Sequence, residues 1–193
     1  MARRPWQCYR KHIHRKPYIK KRGPRGKEFV HGGADPKIRI FEMGDLKGNV
    51  DFDLKLGIQM MHTAMTSDGT LEGARTSVNR LLREAVGRSG FKFKVRPHPH
   101  RVYRENKMMA FAGADRLQSG MRGSFGKPMG RCALIKAGQI VMECSTNVKH
   151  LRRVRAALRA ATYKFPAHCR LVLLEAKDDA IAQRVGLPLP NEP

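Results

Sequence analysis

The stretch LEGARTSVNRLLREAVGRSGFKFKV, residues 71–95, changes its hydrophobic period once, and that change decides the fold class. Leu71, Ala74, Val78, Leu81, Leu82 and Ala85 recur at the three- and four-residue spacing of a helix with one buried face. Asp68 or Thr70 stands where a cap is needed, and Gly87 and Gly90 end the helix. Phe91, Phe93 and Val95 then alternate with Lys92, Lys94 and Arg96, which predicts a strand with a cationic outer face. A capped helix running straight into an alternating strand predicts an α+β domain.

Ile38 and Ile40 alternate with Lys37 and Arg39 in a short strand, and Phe52, Leu54, Leu56 and Ile58 alternate in another. Residues 131–136 and 139–144 flank Ala137-Gly138, the pattern of a hairpin with Gly in its turn. A second helix is predicted over about 147–161, with Ser145 or Thr146 as N-cap. Val148, Leu151, Val154, Leu158 and Ala161 line one side of it, and Lys149, Arg152, Arg153, Arg155 and Arg159 the other. No acid lies between Glu143 and Glu175. Solvated helix faces usually mix signs to gain ion pairs one turn apart, so this face suits phosphates better than water. Residues 170–176 form a closing apolar strand. Three parts result: an extended basic arm at 1–33, a domain at 34–176, and a peripheral tail at 177–193 holding Pro188, Pro190 and Pro193.

Charge restricts the function. Lys and Arg number 39 against 16 acids, a net +23 over 193 residues, so the expected partner is a polyanion. Residues 1–27 contain Arg3, Arg4, Arg10, Lys11, Arg15, Lys16, Lys20, Lys21, Arg22, Arg25 and Lys27 and no acid. Trp6, Tyr9 and Tyr18 are interleaved and can stack on bases, while Pro5, Pro17 and Pro24 argue against a helix. Such an arm cannot offset its own ordering entropy and is expected to order on its partner. It lacks the apolar face of a membrane-surface helix. No run approaches the roughly 20 apolar residues of a membrane span, and the start MARRPW carries no apolar signal core, so a soluble, non-secreted protein is expected. Cys8, Cys132, Cys144 and Cys169 form no CxxC pair, and Cys8, His12 and His14 lack a fourth ligand nearby. No metal and no cofactor is expected.

Two basic segments remain. Residues 113–130 hold five glycines together with Arg116, Arg122 and Lys127 against the single acid Asp115, a backbone suited to close approach by phosphates. They are not a nucleotide-binding P-loop, because Met121 replaces the first glycine and Pro128 the magnesium-holding hydroxyl. The GxxG of Gly120 to Gly123 is too short to identify a KH clamp. Residues 96–107, RPHPHRVYRENK, read as a basic loop holding His98, His100, Arg101, Arg104 and Lys107. The histidines have no Ser or Cys nucleophile beside them, so contact with RNA is expected and catalysis is not.

ARRPxxCYR at 2–10, DPKIRIFEMG at 35–44 and AGADRLQSGMRGSFGKPMG at 112–130 resemble the archaeal–eukaryotic large-subunit ribosomal protein family L-ten-e, counterpart of bacterial L-sixteen. Residues 104–108 and 164–166 match as well, and the resemblance covers about 2–176. It implies a two-layer α/β sandwich of the hammerhead type that binds large-subunit rRNA beside the aminoacyl-tRNA corridor, near the peptidyl transferase centre. It further implies that residues 96–112 point toward the tRNA cleft and that 113–130 belong to the region on rRNA. The expected partners are rRNA, tRNA and neighbouring ribosomal proteins in the cytoplasmic ribosome, with no homo-oligomer. Arg152, Arg153 and Arg159 join the arm, Arg116, Arg122 and Lys127 as rRNA-binding candidates. An RNA-modifying enzyme would need a cofactor fingerprint that is not found, whereas a free-standing RNA chaperone fits the charge equally well.

Overall fold

The computed structural model describes Tyr9 and residues 34–48, 50–106 and 124–190. The elements are β1 (Glu42–Gly44), β2 (Leu54–Met60), β3 (Ala64–Ser67), α1 (Asp68–Val86), β4 (Phe91–Val95), β5 (Arg101–Glu105), β6 (Lys127–Ile135), β7 (Ile140–Thr146), a 3-10 turn (Val148–His150), α2 (Leu151–Thr162), β8 (Cys169–Ala176) and α3 (Asp179–Val185). They build two antiparallel sheets, one of five strands ordered β1-β4-β7-β2-β8 and one of three ordered β3-β6-β5. The α+β reading holds.

α1 buries Leu71, Ala74, Val78 and Leu82, the stripe its sequence period marks. The stripe meets β3, β4 and β6, while α2 lies against β2, β7 and β8 and against α1 itself. Phe91, Phe93 and Val95 from β4, Leu56 and Ile58 from β2, and Val154 and Leu158 from α2 share this one core. Removing that apolar surface from water is the main stabilising term, at roughly 25 cal/mol per Å².

The hairpin expected at Ala137-Gly138 is not formed. The turn exists, with Gly138 at φ 81° and the Gln139 N–H donating to the Lys136 carbonyl at 3.2 Å. Its two arms nevertheless enter different sheets, β6 pairing with β3 and β5, and β7 pairing with β2 and β4. The reason is a second turn beside it, at residues 61–63. The Gly138 N–H donates to the Met60 carbonyl at 2.8 Å, and the Ala137 N–H donates to Thr63 Oγ1 at 3.1 Å. β2–β3 and β6–β7 therefore round one corner side by side, from Gln59↔Ile140 in one sheet to Ala64↔Ile135 in the other. Such a bend carries a strand pair from sheet to sheet.

Other boundaries also differ. Ser67 caps α1, its side chain accepting the Thr70 N–H, while Asp68 sits in the first turn and takes the Lys37 N–H at 3.0 Å. That bond draws residues 37–40 away from any ladder, so Ile38 is core, Ile40 is exposed, and the strand begins only at Glu42. Ser145 and Thr146 belong to β7 and cap nothing; the Val148 N–H donates instead to Asp53 Oδ2 at 3.2 Å. The segment read as a loop from 96 contains β5. Val102 is buried, Pro97 and Pro99 are buried, and Arg101–Glu105 pair with β6. Beyond Ala176, α3 buries Val185, and the Leu173 N–H of β8 donates to the Pro188 carbonyl at 3.0 Å.

Candidate nucleic-acid interface

Among the described residues, α2 presents the clearest cationic surface. Lys149, Arg152, Arg153, Arg155 and Arg159 are all exposed, opposite the buried Val154, Ala157, Leu158 and Ala161. Among the described residues, Arg152, Arg155 and Arg159 make no ion pair and no side-chain hydrogen bond. Arg153 differs. Its Nη1 donates to the Ala85 carbonyl at 2.8 Å, which satisfies an orphan acceptor in the last turn of α1.

The outer side of β4 looks similar in sequence and is built otherwise. Lys94 Nζ lies 2.6 Å from Glu42 Oε1 on β1, and Arg96 Nε donates to Glu143 Oε2 on β7 at 2.6 Å. The Lys94 hydrogen bond holds the Glu42 carboxyl below its ordinary range, and Glu42 in turn raises Lys94. Two of the three cations there are already answered.

The three-stranded sheet carries the rest. Arg104 Nη1 donates to the Gly126 carbonyl at 3.3 Å, and its guanidinium lies 4.5 Å from the centre of the Phe125 ring. Lys127 is exposed at the start of β6, paired in register with Glu105. Arg101 is half-buried on β5. His98 and His100 are exposed; His98 stacks on Phe41 with ring centres 5.3 Å apart, and His100 Nδ1 lies 3.1 Å from the His98 carbonyl oxygen. Sequence reasoning passed over Phe125 as a contact. The signal was there, since a Phe between Ser124 and Gly126 belongs to no periodic element and has no core position to fill. The candidates Arg3, Arg4, Arg10, Lys11, Arg15, Lys16, Lys20, Lys21, Arg22, Arg25, Lys27, Lys107, Arg116 and Arg122 lie outside the described residues.

Among the described residues, several groups with catalytic chemistry are otherwise engaged. An open cleft of about 540 Å³ is lined by Asp51, Asp53, Lys55, Glu175 and Lys177. Lys55 pairs with Glu175 at 3.0 Å, Lys177 pairs with Asp51, and Asp53 accepts the Val148 N–H. Burial pushes the thiols of Cys132, Cys144 and Cys169 up to about 12, so they stay protonated and weakly nucleophilic at neutral pH. Among the described residues no three His, Cys, Asp or Glu side chains gather as a metal site, and no helix is long and apolar enough to cross a membrane.

The profile of the family described as "Ribosomal protein L16p/L10e" matches residues 13–172. The large ribosomal subunit protein uL16 of Staphylothermus marinus is 41% identical over 177 residues, covering 92% of this chain and 97% of its own. The uL16 of Dictyostelium discoideum is 42% identical over 174 residues, 90% of this chain and 77% of its own. The uL16 of Pinus taeda is 41% identical over the same length, 90% of this chain and 73% of its own.

Proposed function

The chain belongs to the ribosomal protein L16p/L10e family, a structural and non-enzymatic component of the large ribosomal subunit, and from that premise we propose how it meets RNA. The α2 face, together with the arm and the glycine-rich segment, binds large-subunit rRNA beside the aminoacyl-tRNA corridor, near the peptidyl transferase centre. Residues 96–112, which contain β5, face tRNA through His98, His100, Arg101, Arg104 and Lys107. The protein positions tRNA and rRNA and supplies no acid, base or nucleophile. In this reading the two sheets and their helices form a two-layer sandwich of the hammerhead type at 34–176. The arm at 1–33 threads into rRNA, while the segment after Ala176, read as a peripheral tail, instead packs α3 on the domain through Val185.

The observation that carries the proposal is that Arg152, Arg155 and Arg159 stand exposed, and unpaired among the described residues, on a helix whose other side is core. Holding like charges together without acids raises the self-energy of the fold, and a phosphate backbone relieves it. Reconstituting salt-washed large subunits with the purified protein tests this, with copy number per particle as the readout. One copy per subunit is expected, and reversing Arg152, Arg155 and Arg159 to Glu keeps the domain folded but blocks incorporation. Removing residues 1–27 flattens the salt dependence, by a slope of about 0.7–0.9 per lost phosphate contact. Substoichiometric binding with no preference between duplex and single strand would favour a free-standing RNA chaperone instead.

A further inference from the structure

We propose that Phe125 is a stacking platform for one unpaired RNA nucleobase, with the Arg104 guanidinium as its fixed back wall. The idea rests on the RNA reading above and specifies its chemistry at one position. Among the described residues, Phe91, Phe93 and Phe165 are buried and Phe41 and Phe52 are half-buried, whereas Phe125 is 64% exposed. A phenyl ring left mostly in water gives the fold little.

The ring is held in place. Gly126 adopts φ 76° and lies so close to β5 that a Cβ there would fall 2.6 Å from the Glu105 carbonyl carbon. That contact fixes the point at which Phe125 leaves β6. Arg104, anchored on the Gly126 carbonyl at 3.3 Å, covers the ring with its guanidinium 4.5 Å from the centroid. The Arg104 Nε is buried without a hydrogen-bond partner, so the side chain is drawn over the ring at a cost. A cation behind a ring, with the exposed Lys127 two residues further along the chain, matches a base with its phosphate. A hydrophobic protein side chain would use neither charge. Because every base has a π face, this platform accepts any unpaired base without reading sequence.

The test uses the full-length protein and three RNA probes of equal length: single-stranded oligo(A), its abasic counterpart, and a duplex. Stacking predicts that the wild type favours oligo(A) over the abasic strand. Phe125→Leu lowers that preference about tenfold, the scale of one lost base–aromatic stack, with an unchanged salt slope and an unchanged unfolding midpoint. Phe125→Trp keeps the preference, and in a Trp6→Phe background its indole is quenched on binding oligo(A) and not on binding the abasic strand. An oligo(A)-to-abasic ratio unaltered by Phe125→Leu overturns the platform while salt-dependent binding leaves the phosphate reading standing. Absence of salt-dependent binding by the wild type would remove both.

Discussion

β4 and α2 read alike in the sequence, each burying one side and lining the other with cations, yet the fold treats them in opposite ways. On β4, Lys94 meets Glu42 from β1 and Arg96 meets Glu143 from β7, acids brought in from neighbouring strands. On α2, no acid among the described residues is brought in, and Arg152, Arg155 and Arg159 remain open. A count of positive charges therefore says little about which of them are available. Availability is set by the register of adjacent strands, because β4 lies between two acid-bearing strands and α2 is flanked on one side only by another helix.

The contrast can be broken most severely from inside α2. Val154→Asp places an unpaired charge in the shared core and costs about 4 kcal/mol or more, enough to unfold a domain of ordinary stability. Denaturant unfolding would register it. If it proved no worse than reversing Arg152, the two faces of α2 would be assigned wrongly. Next in size, Glu143→Gln opens the closed surface of β4. Losing the carboxylate under Arg96 costs about 1–2 kcal/mol, and the freed guanidinium steepens the salt dependence of RNA binding by about one contact. A lowered stability with an unchanged slope would mean that Arg96 points away from RNA.

Arg153→Met separates the tied arginine from its open neighbours. It costs about 1 kcal/mol through the lost bond to the Ala85 carbonyl, whereas Arg155→Met leaves the unfolding midpoint unchanged. The smallest effect is a titration. The Lys94 bond depresses the folded Glu42 pKa, so its contribution is present above the ordinary value of 4.5 and is lost as pH falls through the depressed folded value. Carboxyl NMR should show the Glu42 midpoint below 4.5 in the wild type and rising toward it in Lys94→Met.

What the sequence made legible was local. Leu71 to Ala85 determine α1 because each helical turn tests the same side chains, and Phe91, Phe93 and Val95 determine β4 by the same logic at period two. The open face of α2 was readable too, since the lack of acids between Glu143 and Glu175 is a fact of composition. Pairings across long separations were not. Nothing near Ala137-Gly138 reveals that β6 and β7 part company, because the deciding bonds come from Met60 and Thr63. β5 escaped notice because a strand with Val102 as its one fully buried residue shows little alternation. The Arg96 partner lies 47 residues away, and the Phe125 clamp joins β5 to the start of β6 across 21 residues.

The corner shared by β2–β3 and β6–β7 also governs how this chain reaches its native state. In the order β1-β4-β7-β2-β8 no two neighbouring strands follow one another in sequence. Every ladder of the larger sheet must close a long loop before it gains a single bond, and no hairpin is available there to start from. Topologies of this kind fold in milliseconds to seconds, far slower than helical bundles of similar size. A nascent chain that has not yet made β8 leaves β2 an open edge, so the fold is completed late and nearly all at once.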